Sequence, residues 1–404
     1  MQDMSSSRHW GAAALLLLLA LALSAALGLR ALKETGSTNS YALVAQSLLT
    51  KTPDVPRCFD KDCAVRDGKT YVVFPPFPAI VAMPLVAWRG VEAKGFIELG
   101  IGCLLLSLLV WRAILRKLDV PPALHLPLLA AIAFASPLYY VTLRSEGIWF
   151  FAQAVAFPLV SLAIHETLAG RLLLAGAALA AAFLCRQMSI FYAPLLLLLS
   201  LPLQSPLFGL GREHGKAALK LALPIALGIA FYLAYNYWRF GALFDTGYAA
   251  IIFPEGIMRD RVAAHGLWSL AYAPFNAFYL LLQGFHADFA EPQRLVLTGL
   301  DTGGASILSA SPWLLYLVFA PWRRDTVGCG LLILGFCGAL LFYHSNGFSQ
   351  YNAQRYMLDW LPAALLMLAA ALKRANGELF RPLAVWGMAL NLATVGVLAV
   401  THAG

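Results

Sequence analysis

The stretch AAALLLLLALALSAALGL, residues 12–29, is a run of apolar and small residues near the start of the chain. Comparable runs recur at residues 124–141, 221–237 and 383–400. A helix needs about 20 apolar residues to cross a bilayer, and backbone polar groups without a hydrogen-bond partner are very costly in lipid. No stretch shows the regular alternation that marks a membrane barrel strand. The sequence therefore predicts an all-α polytopic membrane protein.

The composition agrees with this class, because 60% of the 404 residues are hydrophobic and only 12% are charged. An ordinary soluble domain carries about twice that charged share. The net charge is +8, but it does not indicate a nucleic-acid partner, because no soluble module with a basic patch and stacking aromatics is present. Many basic residues instead stand just beyond apolar runs, as the positive-inside rule describes: Arg112, Arg116, Lys117, Arg212, Lys216, Lys220, Arg323, Arg324, Lys373 and Arg374.

Alternation of sides from a cytoplasmic N-terminus predicts about 11 transmembrane helices within a single transmembrane domain, residues 1–404. The expected crossings lie near residues 11–29, 97–111, 124–142, 148–166, 171–185, 190–204, 217–237, 306–321, 327–343, 356–372 and 382–402. The first run also has features of a signal peptide, and we interpret it as a transmembrane helix.

Three polar segments then fall on the extracytoplasmic side: a long first loop at 30–96, a second long segment at 238–305 and a short loop at 344–355. Within the second segment, residues 267–284 are interpreted as an interfacial helix, because another crossing there would invert the side of Arg323 and Arg324. In the first loop, prolines in FPPFP, residues 74–78, precede a short apolar stretch. Since proline stiffens the chain and ends helices, we expect a shallow element there that dips toward the membrane.

The cysteines of the first loop stand in CFDKDC, residues 58–63. A local disulfide between Cys58 and Cys63 is predicted if the loop faces an oxidising compartment. The alternative is a metal site of two thiols and two carboxylates, although the spacing matches no zinc pattern. Asp60 and Asp62 offer the hard oxygen ligands that a divalent cation takes. The sequence therefore assigns no cofactor and no metal ligand, and a divalent cation stays open.

Short motifs follow one another in or beside the outer segments: ETGSTNSY (34–41), the stretch 67–78, RSEGIW (144–149), FLCR (183–186), YNYWRFG (235–241), TGY (246–248), GASIL (304–308) with SP (311–312), and QRYMLD (354–359). In order and placement this series resembles the GT-C superfamily of membrane glycosyltransferases, in particular the protein mannosyltransferase and aminoarabinose transferase group. The resemblance implies a GT-C-like fold whose long first extracytoplasmic loop carries short interfacial helices.

The same resemblance implies an inverting-type glycosyltransferase. Its partners would be a polyprenyl-phosphate-linked sugar as donor, an extracytoplasmic glycan, lipid or protein as acceptor, and the surrounding membrane lipid. The implied location is the bacterial inner (plasma) membrane, with the active site facing the periplasm or outside.

A catalytic carboxylate in the first loop is a further implication of the resemblance. Many members place an acidic pair a few residues before the tyrosine that matches Tyr41, and this chain has Ser37, Thr38 and Asn39 there. The nearest acid is Glu34, where desolvation at the membrane boundary would raise the pKa of a base that accepts the acceptor proton.

Each candidate base also has a structural interpretation. Glu34 would be an interfacial residue that pairs with Lys33 or is solvated. Asp67 is the second candidate base, and Asp67-Gly68 is also an ordinary turn dipeptide.

The leaving phosphate needs a preorganised positive partner, and Arg355 suits this because a guanidinium bonds two phosphate oxygens at once. The alternative for Arg355 is an ion pair with Asp359. For Arg144, Arg186 and Arg239, snorkelling at the interface is the alternative, and for the tyrosines it is an aromatic belt. The complete set of expected donor phosphate and sugar contacts is Arg355, Gln354, Tyr356, Arg144, Arg186, Arg239, Asn39, Tyr41, Tyr71 and Tyr248.

A transporter or flippase for a lipid-linked or small polar substrate is the main rival function. Such folds show broken helices around polar residues at mid-membrane depth. In this sequence the polar residues cluster in outer segments, and few charges lie at the centres of the apolar runs. An O-antigen-type ligase is a second rival, and it uses pyrophosphate-linked donors. The pattern favours an enzyme that works at the membrane surface.

Overall fold

A computed structural model of the protein describes residues 2–60, 62–202, 212–251, 253, 255–346, 351, 354–375 and 377–401. These residues are mostly helical and include two small antiparallel sheets of two strands each. They divide into two compact units. Unit 1 comprises Met1–Arg30, Leu115–Val141 and Arg261–Gly404, and unit 2 comprises Ala31–Ile114 and Thr142–Asp260.

The α-helices of the described residues are α1 (Gln2–Leu32), α2 (Tyr41–Thr50), α3 (Phe77–Arg89), α4 (Phe96–Lys117), α5 (Pro122–Phe134), α6 (Pro137–Leu143), α7 (Ile148–Leu168), α8 (Leu172–Phe183), α9 (Tyr192–Ser200), α10 (Arg212–Phe240), α11 (Ile257–His265), α12 (Ala273–Ala277), α13 (Ile307–Ala310), α14 (Arg324–Leu341), α15 (Leu361–Leu372) and α16 (Phe380–Thr401). The strands are β1 (Cys63–Arg66), β2 (Lys69–Val72), β3 (Ala287–Phe289) and β4 (Leu297–Leu300). Short 3₁₀ helices lie at Gln187–Phe191, Tyr248–Ala250, Leu270–Tyr272, Pro312–Phe319 and Arg355–Asp359, and a π-helix lies at Phe278–Leu282.

Six helices of the described part are long and apolar enough to cross a membrane. Their apolar spans are Gly11–Leu32, Phe96–Lys117, Ile148–Leu168, His214–Phe240, Arg324–Leu341 and Phe380–Thr401. Helices α5 and α6 form a pair bent by 50° that would make a seventh span if it crosses as one element. The chain is therefore an integral membrane protein whose described residues are mostly helical, as its apolar runs predict.

The prediction of 11 crossings is not confirmed. The expected crossings at 171–185, 190–204, 306–321 and 356–372 fall on helical segments that are too short to span a bilayer alone. For example, α8 and α15 have 12 residues each. A helix of that length is about 18 Å long, whereas the hydrocarbon core is about 30 Å thick.

In unit 2, α8 packs between α7 and α10 through small residues. A Cβ atom added at Gly176 would lie 2.4 Å from the Leu221 carbonyl oxygen, and one at Gly228 would lie 2.8 Å from the Ala180 Cβ. Such close approach of helix backbones is the usual way in which membrane helices associate, since apolar side chains gain little there over lipid. The glycines therefore determine how tightly α8 and α10 pack.

A break between α5 and α6 is the main irregularity of unit 1. Two carbonyl groups at this break receive side-chain hydrogen bonds. Asn391 Nδ2 donates to the Phe134 carbonyl at 2.8 Å. Ser311 Oγ and Trp313 Nε1 donate to the Ala135 carbonyl at 3.0 Å and 2.8 Å. Side chains from α16 and from the segment after α13 thus stabilise the break.

The first loop contains α2, the β1–β2 hairpin and α3. Its start is fixed by a close contact, because a Cβ atom at Gly36 would lie 2.1 Å from the Glu92 carbonyl oxygen. Glu92 also forms an ion pair with Arg57. Within the second long segment, Leu270–Leu282 is a short apolar helical stretch. Its length agrees with an interfacial position and not with a crossing.

Candidate functional site

Glu34, the first candidate base, follows α1 in unit 2 and is only 1% exposed. Its Oε1 accepts the Phe96 amide at 3.0 Å and its Oε2 accepts the Ile97 amide at 3.1 Å. Because these amides open α4 and have no partner within the helix, the Glu34 carboxylate caps that helix end. Burial raises the pKa of Glu34 to about 7, although both amide hydrogen bonds lower it. Glu34 is thus a buried helix cap and not a solvated interfacial residue.

Asp67, the second candidate base, lies in the turn of the β1–β2 hairpin. The strands pair from Cys63 with Val72 to Arg66 with Lys69, which leaves Asp67 and Gly68 as the two turn residues. Both have positive φ values, 51° and 73°, as a two-residue hairpin turn of type I′ requires. Asp67 is exposed to solvent. Asp67 therefore occupies an ordinary turn position, which is the structural interpretation expected from the Asp-Gly dipeptide.

A disulfide joins Cys58 and Cys63 and closes a small loop around two acids. Since both sulfur atoms are used in this bond, they are not metal ligands in the structure. Asp62, one of the two enclosed acids, accepts a hydrogen bond from Trp149 Nε1 at the start of α7. The disulfide therefore closes the loop, and the hydrogen bond from Trp149 attaches the loop to α7 through Asp62.

Asp60, the other enclosed acid, is a candidate that sequence reasoning noted only as an oxygen ligand. The Ser40 hydroxyl accepts the amides of Phe59 and Asp60 at 3.2 Å and 3.4 Å. Asp60 Oδ1 accepts the Asp62 amide at 3.0 Å. Its Oδ2 is buried and has no hydrogen-bond partner among the residues that the structure describes. Burial raises the pKa of Asp60, against hydrogen bonds from Ser40 and Asp62 that lower it.

Tyr41, the first residue of α2, is fully buried in an aromatic cluster of unit 2. Its ring lies 6.4 Å from Phe74 and 6.1 Å from Phe151, and Phe74 in turn lies 6.2 Å from Tyr248. Burial raises the pKa of the Tyr41 hydroxyl well above its ordinary value, and the positive charge of Arg186 opposes this shift. Within the described part of the chain, the hydroxyl has no hydrogen-bond partner. Tyr41 and Tyr248 thus both contact Phe74, and the charge of Arg186 acts on the Tyr41 hydroxyl.

Arg239 and Tyr71 lie at the junction of α10 with the hairpin. Arg239 is 4% exposed, and its guanidinium donates to the Val72 carbonyl at 2.6 Å and to Asn236 Oδ1 at 2.8 Å. The same group lies 4.1 Å from the Tyr235 ring centre, and the Tyr71 ring lies 5.3 Å from Phe240. Arg239 therefore ties the end of α10 to β2 and does not snorkel to the interface.

Asn39 and Arg144 have partners within unit 2. Asn39 Nδ2 donates to the Ser145 carbonyl at 3.1 Å, and its Oδ1 accepts the Tyr41 amide at 3.0 Å. Arg144 donates to Glu146 Oε1 at 3.0 Å. Asn39 thus holds the start of α2 against the loop before α7, which is a positioning role for Tyr41.

Gln354, Arg355 and Tyr356 belong to unit 1. Gln354 and Arg355 are 1% and 7% exposed, and the Arg355 guanidinium lies 4.9 Å from the Tyr356 ring centre. Arg355 and Asp359 begin and end a 3₁₀ helix. The guanidinium is held against an aromatic ring.

Tyr41 belongs to a hydrophobic cluster of unit 2, and Asp60 follows Phe59, which packs against that cluster. That cluster includes Tyr41, Cys63 and Cys185, and Phe59 and Trp149 pack against it. Burial without a hydrogen bond is the signal that identifies Asp60 and Tyr41, and it depends on tertiary contacts. Comparison of this chain with family models, with curated proteins and with solved structures gave no match.

Proposed function

We propose that the chain is a membrane glycosyltransferase that moves a sugar from a polyprenyl-phosphate donor to an extracytoplasmic acceptor with inversion. The main support is the convergence in unit 2 of the partnerless Tyr41 hydroxyl, the Arg186 guanidinium and the Tyr248 ring. These groups come from α2, from the segment after α8 and from the segment after α10. Three distant parts of the sequence thus supply one polar centre with aromatic walls.

The chemistry of glycosyl transfer fits such a centre. When the bond between the anomeric carbon and the phosphate breaks, negative charge grows on the phosphate, and fixed donors stabilise it. A guanidinium keeps its charge at any physiological pH and a tyrosine hydroxyl donates one hydrogen bond. Aromatic rings offer flat apolar faces to a sugar. Arg186 and Tyr41 would hold the donor phosphate, and Tyr248 would contact the sugar.

The proposal extends to the fold, which would be GT-C-like with 11 crossings. The four short apolar segments would complete the crossings by burying their ends against neighbouring helices. Helices α2 and α3, with 10 and 13 residues, would be the interfacial helices of the first extracytoplasmic loop. The site would then face the periplasm of a bacterial inner membrane.

Within unit 1, Arg355, Gln354 and Tyr356 remain candidates for contact to a phosphate headgroup. The observation in favour is that this guanidinium is buried against a ring, since a buried cation in a membrane protein needs a functional or structural reason. The base would be an acid of the first loop. Glu34 has a suitable pKa of about 7, and Asp67 remains the exposed candidate.

A transporter or flippase is the second candidate. Broken transporter helices present free backbone carbonyls to ions or substrates. Among the described residues, the bent pair α5–α6 is the break of this kind, and Asn391, Ser311 and Trp313 already donate to its carbonyls. The break is therefore better suited to stability than to transport.

The deciding experiment gives purified protein in detergent a polyprenyl-phosphate sugar and candidate acceptors. We expect free polyprenyl phosphate to appear, and we expect Tyr41→Phe to slow its release by about 100-fold or more, the scale of one lost transition-state donor. Tyr237→Phe, which changes a tyrosine that is 59% exposed, is the matched control. Movement of labelled substrate across vesicles without cleavage would instead establish the transporter.

A further inference from the structure

Three acids of the first loop differ in whether their oxygens are free to take a proton. Both oxygens of Glu34 accept backbone amides that α4 cannot satisfy by itself. Asp67 lies exposed in a hairpin turn. Asp60 uses one oxygen for the Asp62 amide, and its other oxygen is buried with no partner in the part of the chain that the structure describes. Asp60 alone of the three combines burial with an available oxygen.

We infer that Asp60 is the base that takes the proton from the acceptor hydroxyl, and that the Cys58–Cys63 disulfide is the positioning device for this carboxylate. The inference rests on the proposed glycosyl transfer. It replaces Glu34 and Asp67 by an acid whose significance the sequence pattern does not reveal.

The position of Asp60 is determined from both sides. On one side, the Ser40 hydroxyl accepts the Phe59 and Asp60 amides, which attaches the acid to the residue before Tyr41. On the other side, Asp62 is bonded to Trp149, and the disulfide closes the loop. A catalytic group must be held within a fraction of an ångström of its working position. The carboxylate also lies next in sequence to Phe59, which packs on the cluster that contains Tyr41.

The acceptor oxygen attacks the anomeric carbon and forms the new glycosidic bond, while the bond from that carbon to the phosphate oxygen breaks. The leaving polyprenyl phosphate keeps the electron pair of the broken bond. Asp60 Oδ2 receives the proton of the acceptor hydroxyl and later releases it to water. Asp60 is partly exposed as a residue while its Oδ2 is buried, so in this proposal the acceptor hydroxyl takes the place of the hydrogen-bond partner that Oδ2 lacks among the described residues.

Burial also improves the chemistry of this group. It raises the pKa of Asp60 above the ordinary value of 3.8. A carboxylate with a higher pKa is a stronger base at neutral pH.

The test compares Asp60→Asn with Asp54→Asn, an identical change at a surface acid of the same loop that forms a long ion pair with Lys69. We expect Asp60→Asn to lower kcat by about 100-fold or more, the usual effect of losing a general base, and to leave the dissociation constant of the donor unchanged. Asp54→Asn should retain full activity. If Asp60→Asn keeps at least half of the wild-type kcat, the inference is wrong, while release of lipid phosphate by the wild type still supports the proposed function.

A pH profile keeps the inference testable if Asp60→Asn does not fold. The acid limb of kcat/KM for the wild type should lie above pH 3.8, and Asp60→Glu should move that limb. An acid limb that is identical in the wild type and in Asp60→Glu would exclude Asp60 as the base. If the wild type releases no lipid phosphate, the proposed function fails first, and the two failures are distinguishable.

The disulfide has its own test. Dithiothreitol passes two electrons and two protons to the Cys58–Cys63 bond, which becomes two thiols, and is itself oxidised to a cyclic disulfide. We expect this reduction to lower kcat with little change in KM for the donor. The double variant Cys58→Ser/Cys63→Ser should begin at the lowered kcat and show no response to dithiothreitol. A fully active double variant would show that the disulfide does not position Asp60.

Discussion

Two buried polar centres of the molecule are built in opposite ways. The closed centre in unit 1 consists of Ser311, Trp313 and Asn391 with the carbonyls of Phe134 and Ala135, and the carbonyls at its helix break receive side-chain hydrogen bonds. The open centre in unit 2 consists of Tyr41 and Asp60, and each keeps a buried polar atom without a partner among the described residues. Buried polar atoms in folded proteins are nearly always paired. The comparison therefore separates polar groups that stabilise the fold from those that are available to a ligand.

The largest expected effect on stability comes from a variant that disrupts the closed centre. Trp313 is fully buried, and its indole donates to Ala135. We expect Trp313→Ala to lower the free energy of unfolding by about 3–5 kcal/mol, since it removes a large core side chain. Thermal unfolding in detergent measures this, and Trp322→Ala, which changes a side chain that is 95% exposed, is the control. Equal stabilities of the two variants would show that the centre does not support the break.

An effect of intermediate size concerns Glu34, which lies near the open centre in sequence but has partners for both oxygens. The pKa of Glu34 is about 7 in the folded protein against an ordinary value of 4.5. A raised folded-state pKa favours folding below pH 4.5, and this contribution is lost as the pH rises to about 7. We expect the melting temperature of the wild type to fall over this interval relative to that of Glu34→Gln.

Measurement of both proteins in parallel removes the contribution of every other titrating group. A difference in melting temperature that does not vary between pH 4.5 and 7 would contradict the burial of a titrating Glu34.

The smallest expected effect on stability comes from removing one buried tyrosine hydroxyl in each unit. Tyr139 in unit 1 and Tyr41 in unit 2 are both fully buried. The Tyr139 hydroxyl donates to the Leu23 carbonyl at 3.0 Å, whereas the Tyr41 hydroxyl has no partner in the described structure. We expect Tyr139→Phe to cost about 1 kcal/mol of unfolding free energy, the usual net value of a hydrogen bond. Tyr41→Phe should cost nothing in stability and should lose activity.

Chemical denaturation of the two Phe variants checks this expectation. A loss of stability in Tyr41→Phe as large as that in Tyr139→Phe would indicate that the Tyr41 hydroxyl has a structural partner. Tyr41 would then no longer belong to the open centre, which would consist of Asp60 alone.

The long helices of the fold follow from the sequence because apolar length alone determines them. The run at 12–29 and the run at 383–400 need no tertiary information to become helices in lipid. The expected crossing at 306–321 fails this reasoning, since Pro312 begins a separate 3₁₀ helix after the end of α13. Composition measures how apolar a segment is, but it does not show where local geometry divides it.

The candidate site was less predictable, because its key properties arise from contacts distant in sequence. Glu34 becomes a cap only when the Phe96 amide, 62 residues later, is placed beside it. Asp60 Oδ2 is buried without a partner among the described residues, whereas Asp62 accepts a hydrogen bond from Trp149. Asn39 was predicted to contact the donor, and its partners are Ser145 and Tyr41. The sequence shows which residue types can perform the chemistry. Tertiary contacts determine which of them keep a polar atom without a hydrogen-bond partner.

The contact between Gly36 and Glu92 limits how this protein can evolve. Because even a methyl group at residue 36 would collide with the Glu92 carbonyl, no other amino acid fits without moving the backbone. Insertions or deletions between α1 and α2 would shift the register of that contact. The length of the connection to Tyr41 is therefore under stronger constraint than most of its side chains, and this part of the chain is a poor place for a fused tag or reporter.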